Sequence, residues 1–249
     1  MTAQKVDILG VPVPNWVAPP SPDQMRWGDE MQGRYVRLEQ LKAAQHCDDL
    51  FTVFAADTKN QIWDYLPYGP FATAADLADW MHATCTKPDP YFFCIIDQAT
   101  HRAVGVASYL RINPDSGSIE VGHINFAPQL QSTIGATEAM YLMMRWAFMA
   151  GYRRYEWKCN ALNVKSRRAA QRLGLSYEGV FRQATLSKGR NRDTAWFAAI
   201  DAEWPPLQIA FENWLHAENF DAAGRQKRSL SEMTNPVLVM RDPMLAPKE

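Results

Sequence analysis

The chain has 249 residues, nearly half of them apolar, with 26 lysines and arginines against 27 aspartates and glutamates and a formal charge of -1. That composition excludes a disordered chain, supplies apolar surface for one large core or two smaller ones, and gives no bulk attraction to nucleic acid or to an anionic membrane. The four cysteines, Cys47, Cys85, Cys94 and Cys159, lie far apart without paired spacing, which fits reduced buried thiols rather than disulfides or zinc and points to the cytoplasm.

In chain order, residues 1–33 read as a proline-rich arm: Pro12, Pro14, Pro19, Pro20 and Pro22 remove backbone donors, and Trp16 and Trp27 are anchors for packing it on a domain. The N-terminus shows no basic segment followed by an apolar core, and no run reaches the roughly 20 apolar residues that span a bilayer, so the chain reads as unexported. A short strand over Tyr35 to Leu38 leads to helical periodicity from Leu41 to Ala56. After the turn at Pro67 to Pro70, Thr73 is an expected N-cap for a helix carrying Leu77, Trp80 and Met81 on one side. Strands over Tyr91 to Asp97, Ala103 to Ile112 and Ile119 to Phe126 imply an antiparallel meander. A helix from about Gly135 to Ala150 reads as amphipathic, with Met140, Met143 and Met144 on one side and Glu138, Tyr141 and Arg145 on another. Tyr152 to Cys159 reads as a strand and Asn163 to Leu173 as a short helix. Two strands flanking Ser187 to Arg192 and a last helix over Trp204 to Ala217 follow, and residues 218–249 read as a polar tail on the surface or on a partner. The expected organisation is therefore an arm (1–33), a domain (34–217) and a tail (218–249).

The segment Gln131-Ser132-Thr133-Ile134-Gly135-Ala136-Thr137-Glu138-Ala139 joins a strand to a helix N-terminus. The first helical turn leaves backbone N–H groups unpaired and carries partial positive charge, so this junction suits a phosphate or pyrophosphate. Downstream, Asn163-Val164-Lys165-Ser166 opens a helix that ends in Leu173-Gly174-Leu175. Helix capping alone would account for Asn163 and Ser166, but the upstream loop makes a ligand role the better reading. The order of elements and these two motifs in register resemble the GNAT superfamily of N-acetyltransferases, in the branch containing the ribosomal-protein N-terminal acetyltransferases, over roughly Arg34 to Asp201.

The resemblance implies a mixed α/β fold with a central twisted, mostly antiparallel sheet of about seven strands flanked by helices. It implies acetyl-CoA as co-substrate, held by Asn125, Phe126, Gln131, Ser132, Thr133, Ile134, Gly135, Ala136, Thr137, Asn163 and Ser166, and no metal. Ile134 stands where the family usually has glycine. A β-branched residue disfavours positive φ, so the loop takes an ordinary conformation there or holds the ligand less tightly. The implied activity is direct acetyl transfer to a primary amine, of a protein N-terminus or a small molecule. The alternative is a catalytically inactive CoA-binding or regulatory module. A nucleotide enzyme ranks lower, because the loop lacks both the P-loop lysine and the three-glycine fingerprint of a dinucleotide site.

Acetyl transfer needs a neutral amine, a polarised carbonyl and a proton for the thiolate. At pH 7 a lysine amine is neutral in about one molecule per thousand and an α-amine in about one in ten, so the acceptor decides how much a base contributes. Glu120 is the first candidate base, eleven residues before Gln131, and Ser166 the thiolate-side acid. His123 is the rival base. Strict strand alternation groups Ile119, Val121, His123 and Asn125 on one face and Glu120, Gly122, Ile124 and Phe126 on the other, so only a bulge would bring Glu120 and His123 to one cleft. Asp193 either orients the amine or pairs with Arg190 or Arg192. Lys188, Arg190 and Arg192 read as a solvated hairpin tip, and Trp63, Tyr65, Tyr68 and Phe71 as an acceptor-side wall or ordinary packing. No nucleic-acid or membrane partner is expected, and the arm and tail could each serve a homodimer contact.

Overall fold

The computed structural model describes residues 10, 12–24 and 31–246. The expected anchor Trp27 lies outside them. Trp16 is among them, packed over Gly117 with the Arg153 guanidinium 5.8 Å from its ring centroid, and Tyr152 Oη donates to the Pro20 carbonyl at 3.1 Å.

Seven strands form one sheet in the order β1-β2-β3-β4-β5-β7-β6: β1 (Val36–Gln40), β2 (Tyr91–Asp97), β3 (Ala103–Asn113), β4 (Ser118–Phe126), β5 (Arg154–Asn160), β6 (Ser176–Ser187) and β7 (Arg190–Ile200). Neighbours are antiparallel except β4 and β5, which run parallel. The expected meander is β2-β3-β4. Helices α1 (Ala43–Phe54) and α2 (Ala74–Thr84) cover one face, where Leu50, Phe54, Leu77 and Met81 meet Phe92, Cys94 and Ile96. Helices α3 (Ile134–Met149), α4 (Val164–Arg172) and α5 (Trp204–Leu215) cover the other, against Phe93, Ile95, Ile119, Val121 and Phe197. Alternating β2 residues thus feed two cores, which is why six successive positions from Tyr91 to Ile96 are buried.

Local chemistry explains the boundaries. Thr73 caps α2 in a capping box with Asp76, each side chain bonding the other's backbone N–H. Helix α3 departs from the amphipathic reading: Glu138 and Tyr141 are buried along with Met140, Met143 and Met144. The cause is α5, whose Trp204 and Phe211 stack on Phe148 and Tyr141. Glu138 is buried with full compensation, because its carboxylate accepts from the backbone N–H groups of Arg34, Tyr35 and Val36 at 2.6–2.8 Å and so pins the entry of β1 to α3.

Beyond α5 the chain returns to the domain through α6 (Leu230–Thr234), whose Leu230 and Thr234 are fully buried. Asp242 then enters the α4 side of the core. It takes the Arg167 guanidinium in two bonds of 2.5 and 2.6 Å, with both residues almost inaccessible.

Candidate active site

The site begins with one extra residue in β4. Val106 pairs with Asn125 and Ser108 with Gly122, so two steps along β3 match three along β4, and His123 takes a left-handed φ of +50°. The bulge regroups the strand. His123 stacks on Tyr68 and Phe92, on the face covered by α1 and α2, while Ile124 and Phe126 pack on the α3 side with Ile119 and Val121. Glu120, His123 and Asn125 therefore share one face, through the bulge that strand alternation requires for Glu120 and His123 to meet at one cleft.

The same bulge opens the sheet. β4 pairs with β5 only where Ser118–Val121 faces Arg154–Trp157, although the strands run on to Phe126 and Asn160. Past that point the two strands have facing edges with no ladder between them, the splay that leaves main-chain groups available to a ligand. Asn125, only 2% exposed, has neither carboxamide oxygen nor nitrogen bonded to a protein partner. A buried amide left so is costly unless something else satisfies it.

Two helix N-termini flank this opening. Gln131 Nε2 donates to the Phe126 carbonyl at 2.9 Å, and Ser132 takes the positive φ, +61°. Ile134 is the first residue of α3, in ordinary helical conformation, and Ser132 is the left-handed residue of the loop. Thr133 Oγ1 caps α3 by accepting the Ala136 N–H at 3.1 Å, which leaves the N–H groups of Ile134 and Gly135 for a ligand. Arg172 donates to Thr137 Oγ1 from α4. Asn163 is the N-cap of α4: its Oδ1 accepts the Ser166 N–H at 3.0 Å. Ser166 Oγ accepts the Trp157 indole N–H at 3.0 Å, and the Ser166 hydroxyl is also within hydrogen-bond reach of the Cys159 sulfur.

On the other face, Glu120 is 2% exposed between two cations. Arg111 Nη1 lies 2.7 Å from Oε1 and Lys158 Nζ 2.9 Å from Oε2, the latter close enough for an ion pair but off the direction of a hydrogen bond. Burial raises the Glu120 carboxyl above its ordinary range, and Arg111 and Lys158 oppose that rise. Arg111 is aimed by a second bulge, with φ +47°, whose N–H and that of Ile112 are held by Asp89. Lys158 also contacts Glu156, which pairs with Arg154, which pairs with Glu178. These six side chains make a neutral chain of alternating charge. Arg111 and Lys158 escaped the sequence reading, although the alternation Arg154, Glu156, Lys158 along one strand face was a visible signal.

His123 Nδ1 lies 3.3 Å from Tyr68 Oη. Burial lowers its imidazole from 6.5 to about 4, helped by the nearby charges of Arg111 and Arg192, so it is neutral at pH 7. The unfolded chain then binds more protons than the folded one between those two values, and stability falls as pH drops from 6.5 to about 4. The loss is at most about 3 kcal/mol. Urea melts at pH 7 and pH 4.5 should show His123→Gln losing less stability on acidification than the parent chain; an equal loss would assign the acid sensitivity to other groups.

Asp193 is not drawn into this cluster. Its Oδ1 accepts the Gln183 N–H at 2.7 Å and Asn191 Nδ2 at 2.9 Å, bracing a bulge in β6, in place of the expected pairing with Arg190 or Arg192. The hairpin tip is not simply solvated either: Lys188 Nζ donates to the carbonyls of Trp63 and Gly69 at 2.9 and 3.1 Å. Of the aromatic wall, Trp63 is buried against Phe54, Tyr68 and Phe71, and Tyr68 stacks between His123 and Trp80. All four cysteines are buried thiols whose pKa values are pushed up, that of Cys85 to about 12, which leaves no thiolate nucleophile near neutrality.

A splayed parallel pair, an anion-binding helix N-terminus on one side and a carboxylate-imidazole face on the other define a CoA-dependent acyltransferase architecture. The family model of the acetyltransferase (GNAT) domain matches residues 36–176, and the chain belongs to that family. A GCN5-related N-acetyltransferase from Brucella melitensis is 43% identical over 90% of this chain and 100% of its own, with a TM-score of 0.85. A probable acetyltransferase of the GNAT family from Chromobacterium violaceum is 36% identical over 78% of this chain and 94% of its own, with a TM-score of 0.70. The fold is also shared, at 20% identity and a TM-score of 0.57 over 68% of this chain and 97% of the other, with the ribosomal L7/L12 α-N-protein acetyltransferase RimL in complex with coenzyme A. No curated protein matches the chain. Acetyl-CoA is the acyl donor of the family, and the orphaned Asn125 carboxamide, the open strand edges and the two helix N-termini fit it. Among the described residues no helix is long and apolar enough to cross a membrane.

Proposed function

We propose that this chain transfers an acetyl group from acetyl-CoA directly to a primary amine, with the two reactants meeting through the opening between β4 and β5. The observation that carries the reading is the His123 bulge, which at once parts the strands and turns Glu120, His123 and Asn125 to one face. Acetyl-CoA supplies the activated acyl thioester. The N-terminus of α3, with Gln131 to Thr137, would hold its pyrophosphate, and Asn125, Phe126 and Asn163 its pantetheine arm.

Glu120 is the base in this reading. Its raised pKa suits proton uptake better than His123 at about 4, and Oε2 has no aligned donor, which leaves a lone pair for the amine proton. Neutral His123, set on Tyr68, orients the amine as a hydrogen-bond acceptor. Ser166, positioned by the Trp157 indole N–H, would give its proton to the departing thiolate. The absence of a thiolate-prone cysteine supports direct transfer over a covalent acetyl-enzyme. Four reduced, buried cysteines also support a cytoplasmic setting, and the neutral overall charge supports an acceptor other than nucleic acid.

Acetyl-CoA at about a thousand times its Kd should stabilise the protein by about 4 kcal/mol in a thermal melt. Thiol release with an amine panel then reads the transfer itself. Stabilisation without thiol release on any amine would make the chain a CoA-binding module.

A further inference from the structure

The alternating network on the acceptor face is neutral within itself: Arg111, Lys158 and Arg154 against Glu120, Glu156 and Glu178. One more cation faces it. Arg192 shares its face of β7 with Trp196, whose cross-strand neighbour Lys158 rests over the indole at 3.8 Å. Its charge is felt at His123, and it in turn feels Arg111 and Glu120. Yet Arg192 is half-buried, pairs with no carboxylate among the described residues, and its Nε is fully enclosed without a hydrogen-bond partner. A guanidinium drawn out of water and left unpaired is costly, and it is most cheaply compensated by an anion held in two bonds.

The enclosure bears on what that anion belongs to. Lys188 ties the tip of the β6–β7 hairpin to the Trp63–Gly69 loop, and Tyr65 Oη, donating to the Leu162 carbonyl at 3.3 Å, ties the same loop to the approach of α4. A folded protein surface would have to displace these ties to seat between the hairpin tip and the Trp63–Gly69 loop, whereas a small molecule would not. The wall inside the loop is aromatic, with Tyr68 4.2 Å from Trp80 and 6.4 Å from Phe71 between ring centroids.

Building on the amine acetylation argued above, we propose that Arg192 seats an anionic group of the acceptor, so that the acceptor is a small primary amine carrying a carboxylate, with an apolar or aromatic body against the Tyr68 wall. Arg192 is then a specificity-determining residue: the carboxylate docks on it and the amine is presented to Glu120 and His123.

The test compares kcat/KM for L-phenylalanine, L-phenylalaninamide, phenethylamine and phenylalanylglycinamide, using thiol release with the full chain. The free amino acid should exceed the three uncarboxylated amines by about 10- to 100-fold, the range of a hydrogen-bonded charge pair. In Arg192→Gln that ratio should collapse towards one, and Arg192→Lys, which keeps the charge, should restore part of it. A merely structural arginine would instead lower all four rates together with the ratio intact. If Arg192→Gln does not fold, the ratio in the parent chain and in Arg192→Lys still decides. Transfer to the amides or to phenethylamine without preference for the acid overturns this inference and leaves amine acetylation standing. No transfer to any amine, with acetyl-CoA bound, overturns both.

Discussion

Replacing Glu120 with glutamine lowers kcat by about 10²- to 10⁴-fold, the contribution of a positioned general base, while the acetyl-CoA Kd changes little. The substitution keeps the shape of the side chain and its bond to Arg111, but removes the lone-pair basicity at Oε2, where Lys158 makes an ion pair without an aligned hydrogen bond. If Glu120 is the base, an acid limb of the kcat profile in the parent chain should disappear in the variant. Some stability is lost as well, because Arg111 keeps no carboxylate partner, whereas Lys158 retains Glu156. A melting curve separates that loss from the kinetic effect. Unchanged turnover across a pH series would take Glu120 out of the chemistry and leave it as the centre of a charge network.

Asp242→Ala has the largest expected effect on stability, about 3–5 kcal/mol, because it strands a buried guanidinium. Arg167 is 1% exposed and spends three of its donors on Asp242 and on the Ala161 carbonyl. In a chain of this size the loss lowers Tm by about 10 °C. The consequence reaches the site, since Arg167 follows Ser166 directly on α4 and the ion pair holds that helix against the core. Truncation after residue 217 should cost more than Asp242→Ala, since it also removes the buried Leu230 and Thr234, while the double replacement Arg167→Met with Asp242→Leu should recover most of the stability, as apolar substitutes for buried pairs do. A melting temperature within 2 °C of the parent for Asp242→Ala would show that the segment after α5 contributes little to the fold.

The sequence carried much of this where a signal was local. Thr73 marked the cap of α2, Gly174 followed the end of α4 with positive φ, and the three successive strands spelled the meander. The anion-binding loop and the Asn163 to Ser166 segment were legible as motifs because helix N-termini write their requirements in neighbouring residues. What was not legible depends on tertiary partners. The His123 bulge leaves no mark in a run of alternating residues, since the extra residue is absorbed against β3. Burial of Glu138 and Tyr141 follows from α5, some 65 residues downstream, and from the backbone entering β1. Lys188 and Arg192 looked like two charges of one exposed tip; the fold gives one to backbone carbonyls across the cleft and leaves the other half-buried with no carboxylate partner among the described residues.

The proposed meeting place of donor and acceptor is the gap between the parted strands β4 and β5. A crystal structure of the chain with CoA tests this most directly: the sulfur is expected between β4 and β5 beside Ser166, with the pyrophosphate at the N-terminus of α3. CoA seated elsewhere on the chain, with the edges of β4 and β5 untouched, would contradict it.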